Sequence, residues 1–488
     1  MINSREGIRD FILDIEHRFP VDEWEIDGLY VWPMIRFRLF FYLMKKTEYE
    51  VTDKKFSQNI SVKKNKSLFL EVRRKLGITA LMYRSIKWLR QLPTKKYLFI
   101  GHNHYRVNYK GKKFNRFFDV LIQDYNIKAD SFYFEPRKGI DNLYNSEIVT
   151  DFSIPLEGFL KFRKLFKKAN FKLECKGYEE YLSFLKSYEF SSGFAPLYSV
   201  EKLENWYNLK FRNKILFFIK ALKRISPKQI MILCYYSENN MALTYAANKL
   251  NIKTIEMQHG PQTDVHMCYG NWSKISESGF GMLPRHYWCW DNSSKNTIHK
   301  WASKSKLYSV ITIGNPWVNY WKNKAQEYNY NGFILYSLQP KPLTFEMLFP
   351  KQLVSMIRSG NLTWFIRLHP RQLKNLKKIS SFLKKKNLDD KINIIDASND
   401  PLPQLLSKAI LHVTNFSGTT IEATLMNKKT ILLHKNGKHS FQEFIDSGEA
   451  FYLDPNSKEF KNEFKTVLKN LKRKKNSGVN ISLPNLFA

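Results

Sequence analysis

Three short runs of the sequence combine residue types that manage anions and protons. Residues 367–371 read RLHPR: an apolar stretch ends, Pro370 fixes the turn, and His369 and Arg371 project beside Arg367 as a basic group suited to phosphate. The plain alternative is a strand-end histidine beside a loop arginine. Residues 414–423 read TNFSGTTIEA, with Ser417, Thr419 and Thr420 around Gly418 at the expected start of a helix. Free backbone N–H groups and the positive end of a helix dipole attract an anion there. The same letters also describe a capping box, with Glu422 reaching back from Thr419. Residues 258–261 read QHGP and set His259 on a Gly-Pro turn, where an imidazole is accessible and titrates near neutral pH, as a base for a hydroxyl proton must. A hydrogen-bonded structural histidine fits that turn equally well. Asp264 and His266 follow closely, either to orient His259 or as surface residues.

Each run lies just after a segment that reads as a buried strand. A first series places strands at Tyr97–Ile100, 229–235, Lys253–Met257, 286–290 and 310–313, with helices between them. A second series places them at Phe333–Ser337, 363–368, 392–395, 410–414 and 430–433, with a helix over 345–358. Strands alternating with helices predict parallel sheets, so the fold class is α/β with two doubly wound, Rossmann-like domains. In such sheets a ligand sits outside the carboxyl ends of the strands, where all three runs fall. The expected boundaries are a helical N-terminal extension over 1–92, a first domain over 93–316 and a second over 330–475, joined near 315–332. Within 1–92, the Lys-rich piece 53–66 reads as an exposed loop. Tyr105, Arg106 and Glu238 also follow strands of the first series and, with Asp264, are candidates for an acceptor side or ordinary loop residues.

A chain of 488 residues has room for two or three cores, and its 43% apolar and 15% aromatic content excludes a disordered chain. Lys and Arg number 79 against 44 Asp and Glu, a net +35 that favours an anionic partner: nucleotide phosphate, nucleic acid or acidic lipid. The four cysteines form no CxxC pair, which fits a reducing compartment and excludes a disulfide scaffold or zinc knuckle. Residues 29–44 are the most apolar stretch, yet they are short and carry Pro33, Arg36 and Arg38, so they read as a buried aromatic helix instead of a membrane span. The N-terminus lacks the pattern of a secretory signal, and a cytoplasmic protein is expected.

The order QHGP, then GNP at 314–316, RLHPR, TNFSGTTIEA and the strand TILLH resembles bacterial GT-B glycosyltransferases of surface-polysaccharide synthesis, over roughly residues 228–455. The similarity is greatest to capsule polysaccharide enzymes, and more distant to CDP-glycerol glycerophosphotransferases and to polysialyl- and Kdo-transferases. It implies two Rossmann-like domains facing a cleft and a sugar or sugar-like group moved from a nucleotide donor, cytidine-linked in some relatives, to a hydroxyl of a growing glycan or lipid-linked glycan. It further implies that His369 and the Ser417–Thr420 turn hold the donor phosphates, with Glu422 near the ribose or supporting the turn, and that His259 is the base. No metal and no cofactor beyond the nucleotide-activated donor is implied, in keeping with the lack of a D-x-D motif. The paired Ser-Ser of the glycerophosphotransferases is replaced here by Ser417-Gly418.

Two other readings remain. UDP-sugar 2-epimerases share the two-domain plan and an HP turn, although their phosphate turn begins Asp-Ser-Gly-Gly. A nucleic-acid binder would suit the charge, but no base-stacking strand, zinc finger or helix-turn-helix pattern is present. A basic face held against anionic inner-leaflet lipid accounts for the same charge.

Overall fold

The computed structural model describes residues 4–49, 68–136, 141–165, 170–324, 332–340 and 343–471. The Lys-rich piece 53–66, residues 325–331 of the expected 315–332 join and the basic tail beyond Leu471 lie outside the described residues. The chain forms two units: one from residues 1–103, 126–140 and 145–312, the other from 104–125, 141–144 and 313–488. Residues 104–125, expected inside the first domain, thus cluster with the second unit.

The strands in chain order are β1 (Glu25–Ile26), β2 (Leu29–Tyr30), β3 (Tyr97–Ile100), β4 (Arg106–Tyr109), β5 (Lys112–Asn115), β6 (Ser131–Phe134), β7 (Val149–Thr150), β8 (Gln229–Ile232), β9 (Lys253–Met257), β10 (His286–Cys289) and β11 (Ser309–Thr312). The first unit holds a parallel sheet in the order β11-β10-β9-β8-β3-β6-β7. β3, β6 and β8 are buried at every position, which is why they read as apolar runs without alternation. From β3 the chain builds outward through β6 and β7, then returns to place β8 on the other side, so the switch point lies between β3 and β8.

The N-terminal helices pack into this unit and do not stand apart from it. Ser4 caps the helix Arg5–Arg18 by accepting from the Gly7 N–H at 3.1 Å. The apolar stretch 29–44 begins as β2 and continues as the helix Trp32–Tyr49. Its Arg36, expected as an interruption, is wholly buried: Nε meets Glu16 Oε1 at 2.6 Å, and the other nitrogens donate to the carbonyls of Met267, Gly270 and Asn271. A buried charge survives here because its donors are satisfied.

The second unit adds β12 (Phe333–Ser337), β13 (Trp364–Arg367), β14 (Ile392–Asn393), β15 (Ala409–Thr414), β16 (Thr430–Leu432) and β17 (Ala450–Tyr452). These form a second parallel sheet, β14-β13-β12-β15-β16-β17, with its switch point between β12 and β15. The helix expected over 345–358 is two, Phe345–Leu348 and Lys351–Ser359, because Pro350 has no N–H to continue the first. The hairpin β4-β5 joins this unit through Phe114, Val120, Trp317 and Trp321, a buried cluster that ties 104–125 to the helix Pro316–Lys324. Both units are doubly wound and Rossmann-like, as the alternation of strands and helices requires.

Candidate functional site

The switch point of the second sheet is where its geometry opens a crevice, and TNFSGTT follows β15 there. Gln339, just beyond β12, binds two loops: its Oε1 accepts from the Phe416 N–H at 2.6 Å, and its carbonyl accepts from Gln372 Nε2 at 2.8 Å. Gln372 Oε1 in turn accepts from the His369 N–H at 3.0 Å, so RLHPR and TNFSGTT are held to a common support. His369 Nδ1 accepts from the Arg371 N–H at 3.1 Å, which in the neutral ring leaves the proton on Nε2 as a donor. Burial, with Arg371, Arg116 and His104 adding positive charge, lowers its pKa to about 4. The imidazole is therefore neutral at physiological pH and offers an N–H to an anion.

Arg116, which no motif singled out, belongs to this group. Its Nη1 stands 3.7 Å from Glu422 Oε1, and its guanidinium lies over the Phe117 ring at 4.9 Å. The nearest signal in the sequence is the basic and aromatic alternation of YRVNYKGKKFNR, with a turn at Lys110 and Gly111, both at positive φ. Glu422 is buried, and its Oε1 has no hydrogen-bond partner. Burial raises its pKa, partly offset by Arg116 and Arg367.

Two expectations change here. Arg367 gives its Nη1 to the carbonyls of Ala397 and Asp400 at 2.7 and 2.6 Å, so it braces the 397–400 loop and has that nitrogen committed. Burial, with Arg116 nearby, lowers its pKa to about 10. The capping box from Thr419 is absent: the cap is Gly418 with no side-chain bond, Thr419 Oγ1 lies 3.3 Å from His412 Nε2, and Glu422 turns to Arg116. The turn also uses donors internally, since Ser417 Oγ accepts from the Thr419 N–H and the Ser417 and Gly418 carbonyls accept from Thr420 and Ile421. Thr420 is fully buried with its hydroxyl unpartnered, and it is the second orphan polar group beside Glu422.

In the first unit, QHGP follows β9, one strand from the switch point. The Cys234 N–H lies 3.3 Å and Glu256 Oε1 3.4 Å from the same His259 Nδ1, and the Tyr236 hydroxyl is 3.4 Å from Nε2. Unprotonated, Nδ1 takes the Cys234 N–H; protonated, it donates to Glu256. Burial opposes the charged ring, but contacts with Cys234 and Glu256 outweigh it and raise its pKa to about 10. Glu256 is fully buried and held by Tyr269 Oη at 2.8 Å and the Tyr235 N–H at 3.2 Å. His259 thus holds a proton more tightly than a free imidazole, and it serves as the expected base only after giving that proton up.

The remaining candidates are engaged in packing. Arg106 donates to the Lys113 carbonyl and pairs with Asp119 in the second unit, and Tyr105 packs edge-on against Phe117 there. Glu238 is ringed by Lys214, Lys210 and Arg38; burial works against its charge, but Lys214 and Lys210 prevail and hold its pKa at about 2. Asp264 pairs with Arg9 at 2.7 Å, and His266 packs among the Phe40, Tyr236 and Tyr269 rings. All four cysteines are free thiols. Among the described residues no group of three or more His, Cys, Asp or Glu is arranged to hold a metal, and no helix is long and apolar enough to cross a membrane.

No protein-family model matches the chain, and no curated protein does. Among solved structures, UDP-GlcNAc 2-epimerase of Methanocaldococcus jannaschii, in complex with UDP-GlcNAc and UDP, aligns over 78% of this chain and 93% of its own at 15% identity and a TM-score of 0.44. MurG of Acinetobacter baumannii aligns over 77% of this chain and 92% of its own, at 9% identity and a TM-score of 0.38. HepE of Anabaena, in complex with UDP and glucose, covers 78% of this chain and 90% of its own, at 10% identity and a TM-score of 0.36.

Proposed function

We propose that the protein is a GT-B-type glycosyltransferase whose second unit holds the nucleotide of a nucleotide-activated sugar and whose product is an extended cell-surface glycan. The observation that carries this is the convergence of Arg116, His369 and the TNFSGTT turn on the carboxyl edge of the second sheet, beside a buried carboxylate whose Oε1 pairs with Arg116 but accepts no hydrogen bond. Arg116, Arg371 and His369 Nε2–H suit a phosphate or diphosphate, while Glu422 Oε1 and the Thr420 hydroxyl suit the hydroxyls of a ribose. In the transition state the leaving nucleotide gains negative charge, which the same groups stabilise without reorganising. His259, paired with Glu256, manages the proton of the acceptor hydroxyl: it must release its own proton to act as base, and Glu256 sets how readily it does.

The acceptor is a glycan or lipid-linked glycan, the donor base is open between cytidine and other nucleosides, no metal is required, and the protein works in the cytoplasm against an anionic membrane surface. The test is release of free nucleotide from UDP-, GDP- and CMP-linked sugars with and without oligosaccharide acceptors. Release that depends on acceptor, with a lengthened glycan, is expected. Conversion of the free nucleotide sugar to an epimer with no acceptor would overturn the reading in favour of a 2-epimerase.

A further inference from the structure

The helix Leu376–Lys385 turns Ile379 and Leu383 into the core of the second unit, and its outer face carries Lys377, Lys378 and Lys385 around Ser381. From Arg371 to Lys386 the chain contains seven basic residues and no acidic one. Charge alone makes only a solvated face, but this one surrounds apolar surface. Phe382 is half-buried on its flank, 5.5 Å from Phe345, and the Lys386 ammonium stands 5.6 Å over its ring. Leu373, leading into the helix, and Met347, two residues beyond Phe345, are 46% and 50% exposed. The counter-charges beside the patch are Glu346 at one side and Asp389 and Asp390 past the helix end.

Exposed side chains of this size set among lysines cost free energy in water and gain it at the boundary between lipid headgroups and acyl chains. Lysines extend their ammonium groups to phosphates while their methylene stems lie along the apolar surface. We propose that this face, the Lys377/Lys378/Lys385 helix with Phe382, Leu373 and Met347, docks on an anionic phospholipid bilayer. Nucleic acid would satisfy the lysines but leave Leu373 and Met347 in water, so lipid is the occupant the surface favours. This deepens the membrane contact of the proposed function and rests on it, whereas nucleotide binding at the β12/β15 edge is independent of it.

The test is flotation of the full chain with vesicles of phosphatidylcholine alone or with 30% phosphatidylglycerol (a proportion of about one anionic lipid in three). Binding to the anionic vesicles only, weakened at least about tenfold by Lys377→Glu/Lys378→Glu/Lys385→Glu and by raising salt, is expected. Leu373→Ser/Met347→Ser should weaken binding several-fold while leaving the salt dependence in place. These side chains are exposed, and an unchanged melting temperature and unchanged nucleotide-induced shift verify folding. Equal flotation of wild type and the charge-reversed variant would overturn the proposal, as would tight binding to an RNA oligomer with none to vesicles. A protein that floats but shows no nucleotide response would keep the docking face and sink the transferase reading instead.

Discussion

Arg116 and Glu422 face each other across 3.7 Å, although 306 positions separate them in sequence. The pair joins the residue after β5 to the turn at the second sheet's switch point, and it sets a guanidinium beside a buried carboxylate oxygen that accepts no hydrogen bond. Arg116→Ala should therefore weaken nucleoside diphosphate binding about ten- to a hundredfold, the worth of one charge-assisted contact, with little change in unfolding free energy because the side chain is partly exposed. Isothermal titration calorimetry beside urea unfolding separates the two effects.

Glu422 should show the opposite of an ordinary structural residue. Its folded pKa lies above its usual value of 4.5, so the folded state binds the proton more tightly, and stability falls as pH rises from that value through the folded one. Glu422→Gln removes this loss. The variant should melt higher than wild type at pH 8, with the gap closing toward pH 4, yet bind nucleotide more weakly. A melting series across pH with titrations at pH 7.5 checks both.

His259 gives a second pH signature. Its folded pKa is raised above 6.5 to about 10, so the stabilisation is complete below pH 6.5 and is lost as pH rises toward 10. Glu256→Gln should flatten that decline and shift the pH optimum of turnover, which a packing role alone would not move. Differential scanning calorimetry at half-unit pH steps reads the first, and a pH–rate profile the second.

Much of this was legible in the residues. Tyr97–Ile100 and Phe333–Ser337 are uninterrupted apolar runs, Lys253–Met257 is a β-rich run broken by Glu256, and all three are strands over those bounds. β6 was not read, because SFYF follows a polar turn with no flanking helix signal, and β17 is only three residues long. The RLHPR and TNFSGTT runs sit at strand ends because local letters dictate turns. Arg116 meets Glu422 and Arg36 meets the carbonyls of Met267, Gly270 and Asn271, partners far along the chain that no local spacing encodes, whereas Glu256 and His259 are only three residues apart, one in β9 and one in the turn that follows it.

Arg36 and Glu16 provide a prediction on stability alone. Both are fully buried, and removing one leaves the other charged in an apolar setting. Glu16→Ala should cost about 3–5 kcal/mol in urea unfolding. Nucleotide binding to the protein that remains folded should be unchanged, since the pair lies in the first unit.

Gly437 tests the support of the switch-point turn. A Cβ there would stand 2.1 Å from the Asn415 carbonyl oxygen, so Gly437→Ala must displace the backbone just before Phe416. A loss of about 1–3 kcal/mol is expected, accompanied by weaker nucleotide binding. Chemical denaturation and calorimetry on the same sample show whether the two losses travel together.

The transferase reading requires that a nucleotide bind the carboxyl edge of the second sheet. Thermal stabilisation by CMP, CDP, UDP and GDP, measured for the wild type, His369→Ala and Arg116→Ala, tests it most directly, because a ligand that binds only the folded state raises its apparent stability. A base-selective shift in the wild type that both variants lose is the predicted result. No shift with any nucleotide, or a shift that both variants retain in full, would contradict it.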